Sequence, residues 1–287
     1  MKGFFIKKWS KNHPEKFLLT PLIGNWELVP PNLPVPNSQF PIHECTQINT
    51  FAADMEILFE DNHLIAVNKL PGMLVQGDHT GDEPLGEYVK LYIKDRYQKP
   101  GDVFLGVIHR LDRPASGVVV FARTSKALER MNRLFAERKI DKTYWAITGH
   151  RPNPINGHLS HFIQKDESKN IVKAYDKLSN RTPDAKKAEL DYELIGEIGD
   201  NFLLKVHLHT GRSHQIRAQL AKMGWPIRGD VKYGFPKPNR DSSIHLHCRS
   251  LSFMHPVKKE PVMIIAKPPN EQIWNLFEFL TEEQYSR

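Results

Sequence analysis

The chain of 287 residues is long enough to bury a full core in one large domain or two modest ones, so it needs no disulfide or metal staple. Its composition, 40% hydrophobic and 25% charged, is that of a soluble globular protein, and no stretch approaches the roughly 18 apolar residues of a membrane helix. The formal net charge of +7 leans weakly toward a polyanionic partner, and two cysteines without C-x-x-C spacing argue against a disulfide framework and favour the cytoplasm.

The first 54 residues differ in composition from the rest of the chain. Five prolines fall between residues 28 and 41, a spacing that forbids a helix and disfavours a central strand. We interpret residues 1–54 as an extended arm or linker. The pattern of a folded domain begins at Met55, so we place the boundary there and expect residues 55–287 to form one domain.

Beyond Met55 the chain alternates between short strand patterns and three helical patterns. Apolar periodicity predicts helices over 83–97, 124–139 and 214–224. A short strand follows Met55, and runs of β-branched and aromatic residues predict further strands over 63–69, 117–122, 143–148, 188–195, 201–209 and 262–267. Because several strands follow one another without an intervening helix, an α+β fold with a mixed sheet is favoured over a doubly wound parallel fold.

A cluster of charged residues precedes the most apolar predicted strand. His109, Arg110, Asp112 and Arg113 lie within five residues, ahead of the apolar run at 118–121. A carboxylate among cations keeps its charge, and an ionised, partly desolvated carboxylate can act as a nucleophile. The residues alone leave open the alternative that the cluster is a structural ion pair that fixes a loop.

A second candidate is the predicted strand at 142–148, KTYWAIT, on which Lys142, Tyr144 and Ala146 share one face. The ring of Tyr144 can stack on a planar substrate while its hydroxyl forms a hydrogen bond. A core tyrosine at a sheet edge is the more common arrangement, and it remains the alternative.

The third candidate is the strand-to-helix junction HLHTGRSHQIRAQL at 207–220. The unpaired N–H groups at the start of the predicted helix, together with Arg212 and Arg217, predict a site for a phosphate or a carboxylate. A solvated basic helix face is the alternative.

Histidine is frequent, with 14 in the chain, and two pairs have strand spacing. His207 and His209, and likewise His245 and His247, point to one side if each pair lies on a strand. The chain lacks the spacing of the common zinc motifs, so we expect no functional metal ion.

The order and spacing of these motifs resemble the RluA-type pseudouridine synthases. The family pattern H-R-L-D-x-x-T/V-S-G, K-x-Y-x-A and G-R-x-H-Q-I/L-R is matched by HRLDRPASG, KTYWA and GRSHQIR, and GDVKYG, LHCRSLSFMHP and the opening ILFEDNHLIAVNKLPGMLV are also typical. The resemblance covers about residues 55–270. Ala115 stands in place of the usual Thr or Val, and residues 1–54 do not resemble the S4 RNA-binding domain that many relatives carry.

The resemblance implies a catalytic role for three residues. Asp112 would be the nucleophile, Arg217 would pair with it and keep it charged, and Tyr144 would stack on the target base and take part in a proton transfer. The reaction breaks the C1′–N1 bond of uridine, turns the uracil, joins C5 to C1′ and releases the C5 proton. Because no redox step or external group enters, the resemblance implies no cofactor and no metal.

The resemblance also implies an RNA partner, ribosomal or transfer RNA, whose target uridine must be flipped out of its stack. Arg110 would fill the space left by the base, and we assign His109, Arg113, Arg212 and His214 to RNA contact. From their charge alone, we also predict contacts with RNA phosphates for Arg113, Arg123, Lys126, Arg130 and Lys142. The implied fold is the pseudouridine synthase α+β domain, a mixed, largely antiparallel sheet with helices flanking a central cleft. We expect a cytoplasmic monomer that binds no membrane and needs no obligatory protein partner.

Two other functions compete with this interpretation. A non-catalytic RNA-binding relative would keep the basic surface but lack Asp112 or Tyr144, and both are present. A metal-dependent nucleic-acid hydrolase would need histidine or carboxylate ligands at metal spacing, and it would be sensitive to chelators.

Overall fold

The computed structural model describes residues 55–78, 80–180 and 182–280, so the predicted arm at 1–54 lies outside the described residues. The strands are β1 (Ile57–Glu60), β2 (Leu64–Lys69), β3 (Gly106–Val107), β4 (Ser116–Ala122), β5 (Asp141–Thr148), β6 (Asn156–Asp166), β7 (Ile171–Tyr175), β8 (Lys186–Ile198), β9 (Asn201–Leu208), β10 (Leu246–Met254) and β11 (Pro261–Ile265). The helices are α1 (Leu85–Arg96), α2 (Ser125–Ala136), α3 (Gln215–Lys222) and α4 (Gln272–Asn275), with a 3-10 turn at Val231–Tyr233. In these segments, no helix is both long and apolar enough to cross a membrane.

The strands form one 11-stranded sheet in the order β1-β2-β4-β10-β5-β9-β8-β6-β7, with β11 paired to β10 and β3 to β4. Within the described segments, β4 and β10 form the parallel pair, and the other neighbours are antiparallel. The predicted α+β class with a mixed, largely antiparallel sheet is therefore confirmed. Since β4 and β10 lie near the middle of the sheet, the loop in front of β4 starts from a fixed position.

The three helices predicted from periodicity are present, each with ends one to three residues inside the predicted range. Thr124 is the N-cap of α2, and its hydroxyl accepts a hydrogen bond from the Ala127 N–H at 3.2 Å. Gly224, predicted to end α3, follows it with a positive φ of 83°. The sequence prediction missed β3, β6, β7 and β10, and β10 is the consequential omission because it joins the two halves of the sheet.

Strand β4 carries the apolar run predicted to be buried, and all seven of its residues are buried. It lies between β2 and β10, and the same apolar core cluster includes Leu85, Val89 and Ile93 of α1 and Met131 of α2. Burial of these side chains is the main favourable contribution to folding here, at about 1.5–3 kcal/mol for each large one.

The two faces of the sheet differ in what covers them. Tyr144 and Trp145 are neighbours on β5, so they point to opposite faces. Trp145 packs with Trp274 and Phe277 of the C-terminal segment, whereas Tyr144 belongs to the main core cluster. On β9, Leu203 lies with Trp145, and Leu204 and its alternate residues lie on the face of Tyr144.

Gly117 allows the backbones of β4 and β10 to approach each other. Its φ is +115°, and a Cβ atom there would overlap the backbone carbonyl and N–H of Cys248. No side chain can be placed there without moving one of the two strands, because both atoms belong to backbone.

Gly117→Ala should therefore destabilise the protein by about 3–5 kcal/mol, combining backbone strain with overpacking. Gly101→Ala is the matched control, because a Cβ there meets no atom within 4 Å and the residue is exposed; it should stay within about 0.5 kcal/mol of wild type. Urea unfolding at equilibrium measures both. Equal midpoints for the two variants would contradict the assigned role of Gly117.

Candidate active site

The loop between β3 and β4 carries Asp112, and main-chain hydrogen bonds hold it from two sides. The Gly72 N–H donates to the Arg113 carbonyl at 2.8 Å, and the Ile244 N–H donates to the Pro114 carbonyl at 3.0 Å. The loop is thus tied both to the turn after β2 and to the segment before β10. This fixes the backbone from which the carboxylate projects.

Lys69, at the end of β2, reinforces the same loop from below. Its fully buried ammonium donates to the carbonyls of Met73 at 2.9 Å, Leu70 at 3.0 Å and Arg113 at 3.1 Å. Burial lowers the pKa of Lys69 to about 7, and the nearby charge of Asp112 opposes this shift. The lysine therefore joins the turn after β2 to the Asp112 loop through three acceptors.

The partner of Asp112 comes from α3, far away in sequence. Arg217 Nη1 donates to Asp112 Oδ2 at 3.0 Å, while its Nε and Nη2 form a bidentate pair with Asp230 at 2.7 and 2.9 Å. Arg217 is 4% exposed and Asp230 1% exposed. Although burial opposes it, the hydrogen bonds and charges of Asp230 and Asp112 raise the pKa of Arg217. Arg217 thus remains a cation between two carboxylates.

The first turn of α3 is anchored by a buried glutamine. Gln215 Oε1 accepts from the Thr210 hydroxyl at 2.7 Å and from the Arg212 N–H at 3.1 Å, and Nε2 donates to the Glu189 carbonyl at 3.0 Å. His214, before it, takes a left-handed conformation with φ of 49°. These contacts fix the start of α3 to β8, and they set the direction in which Arg217, two residues later, points.

A tyrosine and a histidine complete the surroundings of the ion pair. The Arg217 guanidinium lies 4.8 Å from the centre of the Tyr233 ring. The Tyr233 hydroxyl accepts from the Val172 N–H at 2.8 Å and lies 2.7 Å from His214 Nδ1. His214 Nε2 lies 3.8 Å from Asp112 Oδ1.

These distances assign proton positions. Burial lowers the pKa of His214 despite the charge of Asp112, and burial raises the pKa of Tyr233 to about 12. A neutral imidazole whose Nδ1 accepts a hydrogen bond from the Tyr233 hydroxyl carries its own proton on Nε2. The hydrogen-bond line then runs from Val172 through Tyr233 to His214, and its last N–H faces Asp112.

On β5, Tyr144 and Lys142 both line the cavity in front of Asp112, as their shared strand face predicts. Burial, with the charges of Cys248 and Asp112 adding to it, raises the pKa of Tyr144 well above 10. The hydroxyl is hydrogen-bonded to the thiol of Cys248, its cross-strand neighbour on β10. Tyr144 therefore keeps its proton at neutral pH.

The cavity has a volume of about 430 Å³, within the usual range for a small-molecule site. Asp112, Tyr144 and Arg217 all line it. Its remaining lining mixes apolar walls with basic groups: Ile108, His109, Arg110, Leu111, Ala115, Phe135, Lys142, Leu208, Gly211, Arg212, Ser213, His214, Gln215, Ile216 and Leu246. A planar, polar group of nucleoside size fits this combination of a carboxylate, a ring and several cations.

Two basic residues near Asp112 in sequence, His109 and Arg113, have structural partners. His109 Nε2 accepts from the Val120 N–H at 3.0 Å, and its ring stacks on Phe135 at 5.2 Å. Burial lowers the pKa of His109 to about 4, so its ring is a neutral support of the loop. Arg113 turns away from the carboxylate and pairs with Asp82 at 2.6 Å.

The other predicted RNA-contact residues differ in exposure. Arg110 and Arg212 are exposed at the cavity, where their guanidinium groups can meet an anion. Arg123 is different, because its side chain is 9% exposed and pairs with Glu60 at 2.9 Å. The charge of Arg123 thus serves this ion pair, and the phosphate contact that charge alone assigned to it stays a prediction.

Sequence reasoning assigned no role to Lys69, Asp230 or Tyr233. All three lie in stretches that match the family pattern, NKLPG and GDVKYG. The signal was their presence in these motifs, but only the fold shows that Asp230 faces Arg217 and that Lys69 reaches the Asp112 loop.

The site lies within a region that matches a known protein family. The family model described as RNA pseudouridylate synthase matches residues 63–222. The chain is 33% identical over 232 residues to tRNA pseudouridine synthase C of Haemophilus influenzae, covering 74% of this chain and 92% of that protein. It is 30% identical over 254 residues to ribosomal large subunit pseudouridine synthase C of Buchnera aphidicola, covering 85% and 76%. The solved structure of human RNA pseudouridylate synthase domain containing 4 has the same fold, with a TM-score of 0.69 at 24% identity, covering 82% of this chain and 98% of that one.

Asp230→Asn should destabilise the protein by about 3 kcal/mol or more, because it leaves the buried charge of Arg217 with one carboxylate. Asp200→Asn, an exposed acid in the turn after β8, is the control and should stay within about 0.5 kcal/mol of wild type. Urea unfolding at neutral pH compares the two. A loss no larger than that of the control would show that Asp230 does not hold the arginine.

Proposed function

The chain belongs to the RluA-type RNA pseudouridylate synthases, and from that premise we propose that it isomerises a uridine of transfer or ribosomal RNA with Asp112 as its nucleophile. It is a pseudouridine synthase, which breaks the C1′–N1 bond of uridine, turns the uracil, joins C5 to C1′ and releases the C5 proton. N1 gains a proton in place of its bond to C1′, which matches the proton lost from C5, so atoms and electrons balance and side chains suffice for the chemistry.

The observation that carries the assignment is the 3.0 Å contact between Arg217 and Asp112 at the cavity. At this distance the guanidinium holds the carboxylate in a hydrogen-bonded ion pair, and a carboxylate can act as a nucleophile. The Asp112 side chain is 25% exposed, so it is close to a partner yet open to a ligand. Asp230 acts through Arg217, which it holds in place, and is a positioning residue.

Tyr144 supports the chemistry from the opposite wall of the cavity. Its ring offers a stacking face to the target base, and its protonated hydroxyl can donate a proton and accept it back during the rearrangement. Its buried position in β5 holds the ring in one orientation, which a reaction that turns a base in place requires.

RNA binding follows from the cations around the cavity. A stacked uridine cannot reach Asp112, so the base must flip out at a cost of a few kcal/mol. We assign to Arg110, exposed beside Asp112, the role of filling the space that the base leaves, and to Arg212 a phosphate contact. His214 acts next to Asp112 and not on phosphate, because its imidazole is held by Tyr233.

The relatives supply the substrate class in this proposal, because they include enzymes named for transfer RNA and for large-subunit ribosomal RNA. Since Asp112, Tyr144 and Arg217 all come from one chain, we expect a monomer to be sufficient. The free, buried thiol of Cys248 supports a reducing compartment such as the cytoplasm. Pseudouridine mapping of total RNA from cells with and without the protein would identify the uridine.

Asp112→Asn should abolish turnover, by at least about 1,000-fold, while RNA affinity changes little because phosphate contacts dominate binding. Tritium release from C5-labelled uridine in RNA measures turnover, and filter binding measures affinity. Asp102→Asn, an exposed acid outside the cavity, is the control and should release tritium at the wild-type rate. Normal release by the Asp112 variant would overturn the nucleophile assignment.

Tyr144→Phe keeps the stacking face and should lower the rate on the order of 100-fold or more, the usual size of a general acid–base contribution. Because the pKa of Tyr144 is raised well above 10, its hydroxyl stays protonated, and the ratio of wild-type to variant rates should be constant from pH 7 to about 9. Single-turnover rates over this pH range test both statements. A variant as fast as wild type would leave stacking as the only role of this residue.

A further inference from the structure

A second cluster of chemically competent side chains lies on β6, β8 and β9, outside the active site. His158 of β6 is the cross-strand partner of Asp191 on β8, and Asp191 is in turn paired in register with His207 on β9. His209 follows just after β9 and points to the same side as His207. The strand spacing of His207 and His209 was visible in the sequence, but the reaction assigns it no role.

The cluster is on the opposite face of the sheet from the catalytic cavity. Leu208 lines that cavity, and its neighbours His207 and His209 point the other way because side chains alternate along a strand. Leu203, which shares the parity of these histidines, packs with Trp274 on that same face. A ligand at the cluster is therefore separated from Asp112 by the sheet itself.

The ligand atoms converge at short distances. His158 Nδ1 lies 2.7 Å from Asp191 Oδ1, and His209 Nε2 lies 2.6 Å from Asp191 Oδ2. One atom from each of the three residues falls within a group no more than 4.8 Å across. All three side chains are 40–49% exposed, so an ion can reach them from solvent.

We propose that His158, Asp191 and His209 bind one divalent transition-metal ion of the zinc class. Two imidazole nitrogens and a carboxylate are the donors that Zn²⁺ takes in proteins, and water completes the coordination. The mixed nitrogen and oxygen set favours Zn²⁺, and also Cu²⁺ or Ni²⁺, over Mg²⁺ and Ca²⁺, which prefer oxygen ligands alone. This inference is independent of the proposed reaction.

The groups around the cluster fit the same interpretation. His158 offers Nδ1 to the cluster, and its other nitrogen, Nε2, lies 3.7 Å from Glu189 Oε1. A carboxylate behind a metal-binding histidine fixes the ring and raises its basicity. Glu189 is itself held by Lys187 at 2.7 Å.

An ion at this position would join three strands that are otherwise joined by main-chain hydrogen bonds. It would link β6, β8 and the end of β9 by side chains. Strand β8 also anchors α3, because the Glu189 carbonyl accepts from Gln215. The expected effect is thus greater stability of this part of the sheet, with no change in the isomerisation chemistry.

The test is titration of tag-free, full-length, chelator-treated protein with Zn²⁺ by calorimetry and with Co²⁺ by visible absorption. We expect one tight equivalent of Zn²⁺, the d–d bands of a nitrogen- and oxygen-ligated Co²⁺, and a Tm raised by roughly 5–10 °C at a hundredfold excess over Kd. His158→Ala, Asp191→Asn and His209→Ala should each remove the tight equivalent and the bands. Glu189→Gln should weaken binding about 10-fold, as loss of a partner behind a ligand does.

His150→Ala is the matched control, because it removes an exposed histidine outside the cluster and should leave binding unchanged. Wild-type tritium release by the ligand variants would show that they fold. Tight binding that survives all three ligand substitutions would place the metal elsewhere in the chain, and absence of a tight equivalent in the wild type would overturn the site itself.

Discussion

The site depends on one buried guanidinium shared between two carboxylates. Arg217 forms its two shortest hydrogen bonds with Asp230, which is almost fully buried. The third nitrogen of its guanidinium group donates to Asp112. A buried cation with a single partially exposed partner would be expensive to keep, and Asp230 removes that cost. The Asp112 carboxylate is then partly open to the cavity, with its side chain 25% exposed. The contacts of Gln215 at the start of α3 and of the loop before β4 hold these three side chains in position.

This arrangement shows which partners His109, Asp112 and Arg113 of the cluster before β4 have. Of the basic residues in this cluster, His109 is neutral and supports the loop, and Arg113 pairs with Asp82. Neither of them therefore neutralises Asp112. Sequence proximity thus misleads about electrostatic pairing, because a tight loop points successive side chains in different directions. The cation that pairs with Asp112 is 105 positions away, and only the resemblance to a family of known motifs identified it in advance.

Much of the fold follows from local pattern, and the omissions have a common cause. Strand β4 and the three long helices were predicted because their apolar spacing is unbroken. Strand β10 was missed because His247 and Arg249 interrupt its apolar run, although both are buried. Both side chains have partners within the fold, since His247 bonds to Ser116 and Arg249 bonds to the Ala266 carbonyl and lies 4.8 Å from the Trp145 ring. Such partners come from distant parts of the chain, so no window of sequence contains the information.

The line of hydrogen bonds that ends at His214, beside Asp112, begins at the edge of the sheet. Its first donor is the main-chain N–H of Val172 in β7, which is the last strand of the sheet in the described part of the chain. An edge strand has pairing on one side only, and local opening of a segment can cost less free energy than unfolding of the whole protein. When β7 moves, Tyr233 loses the contact that orients its hydroxyl, and the tautomer of His214 is no longer imposed. The hydrogen bonds beside Asp112 are therefore linked to the margin of the sheet, and hydrogen exchange at the Val172 amide would report an opening of β7.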